Sequence, residues 1–527
     1  MAVADHMPRP TSPSGPHAGA PGTRFGGAGT SPLADAPAHP SADPATLRLG
    51  HAPRGSGGTG LVAGIGTGIG TGVQARLDAG LMQARLPRPV LVYLICVVLP
   101  LWFSVGPLLL SALRLFLLVM LVPAALRLMR GAAGRIILTD VLFLAHVIWQ
   151  AVALAANNPD QVISQTGSTG VEFLGGYLMG RAYIRRPEDF LALIRWVAFL
   201  VLCLAPFAVY ETMTGRPILI DLIQRLPGMI GLTDINNEKR MGLERVQVVF
   251  AHPIHFGLFC SVAFSLVFVG LKGVVSTPRR WITSALVAAT GFLALSSGAL
   301  LALALQVALI AWAAAFARVQ ARWWILVGLF VLAYVVIDVL STRDPLRVFM
   351  SYATFSAGNA FWRAIIFEWG MKSVWGSPIF GIGLKDWVRP VFMVSPSVDN
   401  FWLVMAMRYG IPGFLLITAG YVLAIARIMR RNFSADPVLA QIRLAWVFTF
   451  LGLSFTLATV HIWTSIYSFV FFMFGAGIWL IAARPDPGPA ASSGPAPPAP
   501  PAPPSRRGPR YSRFPAAVPP RRRAAPA

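Results

Sequence analysis

Charge is what this chain of 527 residues has least of: Asp, Glu, Lys and Arg make up 12% of it, against 55% hydrophobic residues. With a mean hydropathy of +0.64, that balance excludes a soluble protein of ordinary composition and points to a chain that crosses a membrane many times. Cysteine is rarer still. Cys96, Cys203 and Cys260 all fall in apolar runs, where they serve as small hydrophobes, so no disulfide framework is expected. Metal-ligand clusters are also missing from the pattern. Of eight histidines, four sit in the N-terminal tail, His146 and His461 stand alone, and only His252 and His255 are close, with no Asp, Glu, Cys or third His nearby to complete a site. No metal or other cofactor is therefore expected. No cleavable signal peptide is visible, because the first apolar run begins after residue 85 and continues into others. The glycine run Gly64 to Gly72 alternates strictly and misses the G-x-G-x-x-G spacing, so it reads as linker.

What is present is a series of long apolar runs. A bilayer core takes about 20 apolar helical residues, and by that rule roughly twelve spans stand between Pro89 and Ala483. They fall near residues 89–105, 107–129, 136–156, 168–184, 189–209, 246–271, 281–298, 299–317, 323–340, 399–429, 443–460 and 462–482. The expected fold is an all-α polytopic integral membrane protein. The fourth run is short and carries Glu172, and Gly410-Ile-Pro-Gly413 is expected to break the tenth into an entry helix and a membrane helix. Residues 1–88 and 484–527 are rich in Gly, Pro, Ala and Ser, or in Pro and Arg, and read as disordered tails around a membrane domain over 89–483.

Orientation follows from the positive-inside rule. Threading the spans from an inside N-terminus puts the short loops holding Arg127/Arg130/Arg135, Arg181/Arg185/Arg186, Lys272/Arg279/Arg280, Arg318/Arg322 and Arg427/Arg430/Arg431/Arg443 all inside. Both termini are then cytoplasmic. Two longer segments, 211–245 and 341–399, fall outside, with five basic and five acidic residues in the first and six and four in the second. The formal net charge of +23 is thus mainly a topology signal plus tails, and no nucleic-acid partner is read from it.

The informative residues are arginines in those two segments. Arg245 ends the first and leads into Phe250-Ala-His252-Pro253-Ile-His255-Phe-Gly257 at the membrane boundary, while the earlier mixed charges of the segment read as ordinary solvated loop. The second holds Arg363 in an aromatic-rich stretch with helical character, where it and Glu368 also allow an exposed ion pair of little worth. Guanidinium groups suit phosphate because the planar fork bonds two oxygens at once and stays charged.

In chain order, Arg245…Phe250-Ala-His-Pro253…Phe256-Gly257, Leu295-Ser-Ser-Gly-Ala-Leu300, Arg363…Trp369…Pro378-Ile-Phe-Gly-Ile-Gly383 and Asp399-Asn400-Phe-Trp-Leu403…Tyr409-Gly-Ile-Pro-Gly413 resemble the O-antigen ligase and polymerase superfamily. The likeness covers about residues 170–430 and is nearest to the exopolysaccharide-polymerisation branch. The resemblance implies metal-independent glycosyl transfer at the periplasmic face of a bacterial inner membrane. The substrate would be oligosaccharide on undecaprenyl diphosphate, and inner-membrane lipids, a chain-length regulator and export proteins would be the further partners. It implies that Arg245 and Arg363 hold the diphosphate, with Arg408 a third contact at a position where family members often have Glu. Where the ligase branch has a histidine before Asn in the final motif, this chain has Asp399, which favours polymer formation over ligation. Asp399 is then the acceptor-side base or an orienting carboxylate, and Asn400 a hydrogen-bond orienter. Asp399 also suits a plain helix N-cap, and His252 and His255 are the other candidate base and, with Asn400 and Arg408, candidate substrate-binding residues.

Two other classes compete. A transporter or flippase also fits twelve spans with Arg114 and Arg408 in apolar surroundings, but no repeat relates the two halves of the chain. A non-catalytic export scaffold, docking through the basic tail, is the second.

Overall fold

The computed structural model describes residues 84–485, apart from 107, 233–238, 342–347 and 349–356. The expected tails lie almost wholly outside the described residues, as does the first part of segment 341–399.

Apolar runs become helices here because a chain in hydrocarbon has to satisfy its backbone N–H and C=O groups within itself. In order these are α1 (Arg88–Val98), α2 (Ala112–Met129), α3 (Leu138–Asn157), α4 (Val162–Gly170), α5 (Gly176–Tyr183), α6 (Pro187–Thr214), α7 (Ile218–Gln224), α8 (Pro253–Phe268), α9 (Thr277–Phe292), α10 (Ser297–Ala315), α11 (Arg322–Leu340), α12 (Ala357–Gly376), α13 (Phe401–Met429), α14 (Pro437–Thr456) and α15 (Thr464–Gly477). Among the described residues, α2, α3, α6, α10, α11, α13, α14 and α15 with its extension to Ile481 are long and apolar enough to cross a membrane, and α1 and α8 are shorter apolar helices. The protein is an all-α polytopic membrane protein. Helix starts follow local chemistry: Ser111, Ser296, Asn400 and Asp436 each accept a backbone N–H of the first turn, while Pro187, Pro253 and Pro437 occupy first positions that need no donor.

Three boundaries differ from the sequence reading. The first two expected spans are joined by an antiparallel hairpin, β1 (Trp102–Val105) with β2 (Leu108–Ser111), paired from Trp102↔Ser111 inward. The fourth is α4 and α5 joined by a π turn at Val171–Gly175, which turns Glu172 inward to accept from Arg114 Nε at 2.7 Å. The sixth is helical only from Pro253, because 246–252 is an irregular loop that holds Val248 at φ 53°.

Close helix packing comes from small residues, as expected where lipid removes the hydrophobic drive between helices. Gly176 and Gly180 of α5 face α15, and a Cβ at Gly180 would stand 2.1 Å from the Phe472 carbonyl oxygen. Gly475 returns the contact against Tyr177. Around this seam Phe143, Phe173, Tyr177, Phe471 and Phe474 form a buried ring cluster with edge-to-face pairs such as Phe143–Tyr177 at 4.9 Å. By contrast α11 buries no residue: it touches α14 through Trp323 on Phe448 at 5.7 Å and Phe330 on Phe455 at 6.1 Å, and most of its apolar surface faces outward.

Candidate functional site

The helices that frame the site reach it with the ends opposite their arginine-bearing loops. The C-terminal end of α6 is one wall. There Glu211, 3% exposed, accepts the backbone N–H groups of Gln247 at 2.7 Å and Val248 at 2.9 Å. Thr212 Oγ1 donates to the Glu244 carbonyl at 2.9 Å. These bonds strap residues 244–248 across the helix end and set Arg245 between them. The chain then reaches His252, whose Nδ1 accepts the Ile254 N–H at 3.0 Å and so caps α8.

A residue that the sequence reading passed over joins it. Arg240 and Leu243 exchange backbone hydrogen bonds, each 3.0 Å, with Met241 at φ 54° and Gly242 at φ 77° between them. Two successive positive-φ residues make a tight hairpin turn. It aims Arg240 inward, where Nη1 donates to the Leu295 carbonyl at 2.9 Å. The reading of the early charges of 211–245 as solvated loop is corrected here for Glu211, which is buried at the helix end and binds the backbone of 247–248, and for Arg240, because one tight turn carries it from the loop to the wall.

The opposite wall comes from α10, α12 and the loop before α13. Arg363 of α12 lies 3.5 Å from Ser297 Oγ through Nη2, and its Nη1 is buried with no hydrogen-bond partner among the described residues. Glu368, the partner weighed for it in the sequence, instead accepts from Lys372 at 3.3 Å. The loop at 386–399 is pinned by Trp387 Nε1 donating to the Pro396 carbonyl and Arg389 Nε to the Met393 carbonyl, both at 2.9 Å. Ser397 Oγ then donates to Asp399 at 3.2 Å. Asn400, not Asp399, caps α13 by accepting the Leu403 N–H at 3.0 Å, which frees the Asp399 carboxylate for the cavity.

Together Arg240, Arg245, His252, Arg363 and Asp399 line one polar cavity of about 290 Å³. Among the described residues this lining carries three guanidinium groups and one carboxylate. Burial and then the neighbouring Arg240 lower the Arg245 pKa to about 10, with Asp399 opposing. The Arg363 pKa is lowered too, by burial first, with Asp399 opposing and Arg240 adding. Both remain cations at neutral pH, crowded and partly desolvated, which is the electrostatic setting that favours a bound polyanion. His252 is held neutral: burial, then Arg245 and Arg240, bring its pKa down to about 4.

A second, apolar pocket of about 440 Å³ adjoins it, lined by residues such as Phe367, Met371, Trp375, Trp402, Leu403 and Phe414, with Asn400 at its edge. One helix serves both pockets, since α12 gives Trp362, Arg363 and Ile366 to the polar one and Phe367, Met371 and Trp375 to the apolar one.

The other expected site residues stand apart from the polar lining. His255 is buried behind His252 with its ring 4.0 Å from Trp463. Arg408 sits just before the break in α13, where Gly410 has φ 71° and ψ −179° as the sequence reading expected of this turn. Its field reaches His461, which the sequence reading left standing alone; burial, then Arg408, lower that histidine's pKa to about 3. Among the described residues no group of three or more His, Cys, Asp and Glu is placed to hold a metal ion.

No curated protein matches the chain. Residues 282–418, which include Ser297, Arg363, Asp399, Asn400 and Arg408, match the family model described as O-antigen ligase, and this match supports the O-antigen ligase and polymerase superfamily, whose members process glycans in membranes.

Proposed function

We propose that this protein polymerises undecaprenyl-diphosphate-linked oligosaccharide repeats into exopolysaccharide at the periplasmic face of the inner membrane, by metal-independent glycosyl transfer. One observation carries the reading: a cavity lined, among the described residues, by three arginines and one carboxylate borders an apolar pocket, and a single helix walls both. A lipid diphosphate has that same division. Its head suits Arg240, Arg245 and Arg363, and its isoprenoid chain suits the pocket of Phe367, Met371, Trp375 and Phe414. The positive-inside pattern of the short loops supports the periplasmic face.

The chemistry follows from those charges. A hydroxyl of the acceptor glycan attacks the anomeric carbon of the donor sugar, the bond from that carbon to the diphosphate oxygen breaks, and undecaprenyl diphosphate leaves with the electron pair. The leaving group gains negative charge at the transition state, where fixed guanidinium groups stabilise it most. Asp399 takes the hydroxyl proton as general base. Asn400 holds the start of α13 and thereby the register of Asp399 beside it. Arg408, which the resemblance offers as a third diphosphate contact, stands outside the cavity lining.

The description of the matching family favours one second reading, transfer of finished glycan to an acceptor lipid from the same donor. Glycan analysis of a strain lacking this chain separates the two. Single repeats left on lipid are the expected result; full-length chains left unattached would replace polymerisation by ligation, and unchanged glycan would overturn both.

A further inference from the structure

Among the groups around the cavity, His252 is the one whose hydrogen-bonding state the geometry fixes. The Ile254 N–H points at its Nδ1 from 3.0 Å. An amide N–H can only donate, so Nδ1 has to present its lone pair. A neutral imidazole that accepts at Nδ1 carries its hydrogen on Nε2. A proton on Nδ1 would set two N–H groups against each other and remove the cap of α8.

The ring is also held in place. Pro253 fixes the first backbone position after it. His255 at 6.3 Å and Trp463 at 5.9 Å, measured between ring centroids, bracket the imidazole. His252 lines the cavity beside Arg240 and Arg245, and no protein partner bonds its Nε2 among the described residues. A rigid N–H donor is therefore available in a cavity that also holds Arg240, Arg245, Arg363 and Asp399.

We propose that His252 is a fixed hydrogen-bond donor of this cavity, its Nε2–H bonding an oxygen of a phosphate-class anion held by the arginines, and that it is not the base of the transfer reaction. The assignment deepens the diphosphate reading above and rests on it for the identity of the anion. It also sorts the base candidates of the sequence: His255 is fully buried and outside the cavity lining, and on His252 Nδ1 is occupied by the Ile254 N–H while Nε2 already bears a hydrogen, so a proton has no site on that ring. Asp399 is left with that role.

Two substitutions separate the two ring nitrogens. His252→Asn keeps an acceptor near the Nδ1 position, and Asn is a good N-cap, but it has no donor at the reach of Nε2. His252→Gln carries an amide N–H at the longer reach and loses the near acceptor. The full-length protein in lipid nanodiscs is titrated with undecaprenyl diphosphate and, separately, with inorganic diphosphate. A hydrogen bond to a charged group is worth about 1.5–3 kcal/mol, so His252→Asn should weaken binding by at least about tenfold while His252→Gln retains it within about threefold. Nitrogen-15 spectra of histidine-labelled wild type should show the hydrogen on Nε2 before any ligand is added. A hydrogen on Nδ1, or wild-type affinity in His252→Asn, would overturn the proposal. Equal dependence of the two probes on His252 supports the donor role at a phosphate; dependence with the lipid probe alone supports it at the lipid head group. Should glycan polymerisation prove independent of this chain while diphosphate binding still depends on His252, the polymerase reading fails and the donor assignment stands.

Discussion

Two sets of arginines in this protein live under different rules. Inside the bundle Arg114 is matched to Glu172 at 2.7 Å and packs over the Trp102 ring at 5.0 Å, and Arg181 is matched to Asp140 at 3.3 Å with further bonds to the Ala133 and Arg135 carbonyls. At the cavity Arg240, Arg245 and Arg363 line the same wall space as Asp399, the one carboxylate in that lining among the described residues. A buried cation costs several kcal/mol unless it is paired and hydrogen-bonded, so the first set is arranged for neutrality and holds the helices together. The second lines a cavity that carries more guanidinium groups than carboxylates among the described residues, the setting that the proposed function uses for a bound anion.

The pairing side of this comparison is expected to give the largest effect. Glu172→Gln leaves Arg114 buried without its counter-charge and should lower stability by about 3–5 kcal/mol, read as an earlier midpoint in denaturant or heat unfolding of the purified protein. An unchanged midpoint would mean that the pair is solvated and the contrast false. At the cavity the expected effect is on rate: Arg245→Ala and Arg363→Ala should each reduce polymer formation by about 10²–10³ with the unfolding midpoint kept, the loss typical of one preorganised donor at a developing anion. Undiminished chain length in both variants would remove the cavity from the reaction. The smallest effect sharpens the division between neighbours at the start of α13. Asn400→Ala should cost about 1 kcal/mol of stability as a lost cap, whereas Asp399→Asn should spare stability and lower turnover. The reverse pattern would return the capping role to Asp399.

Much of the membrane domain was legible in the residues because the requirement is local: an apolar run near bilayer length has few folded forms other than a helix. Arg245, Arg363 and Asp399 were legible as candidates for a related reason, since charge and aromatics at a span boundary stand out from the apolar background. Arg240 was not. Its loop has mixed charge, and the Met241-Gly242 turn that aims it inward is a weak signal among five basic and five acidic residues. The break at Gly410 was visible from Gly and Pro, but the partners of the freed backbone were not: Trp149 Nε1 donates to the Tyr409 carbonyl at 2.8 Å from a helix 260 positions earlier. The choice between Asp399 and Asn400 as cap was equally open in sequence, because both residue types cap well.

The sequence by itself determined the helical membrane class, the order of the apolar runs and the segments that hold mixed charge, since each depends on the hydropathy and charge of neighbours along the chain. Tertiary structure alone decided which charges are neutralised and which are shared. Arg114 meets Glu172 across 58 positions, and Arg245 meets Asp399 across the ends of different helices. Electrostatic balance depends on distance and burial in three dimensions, and helix packing sets both.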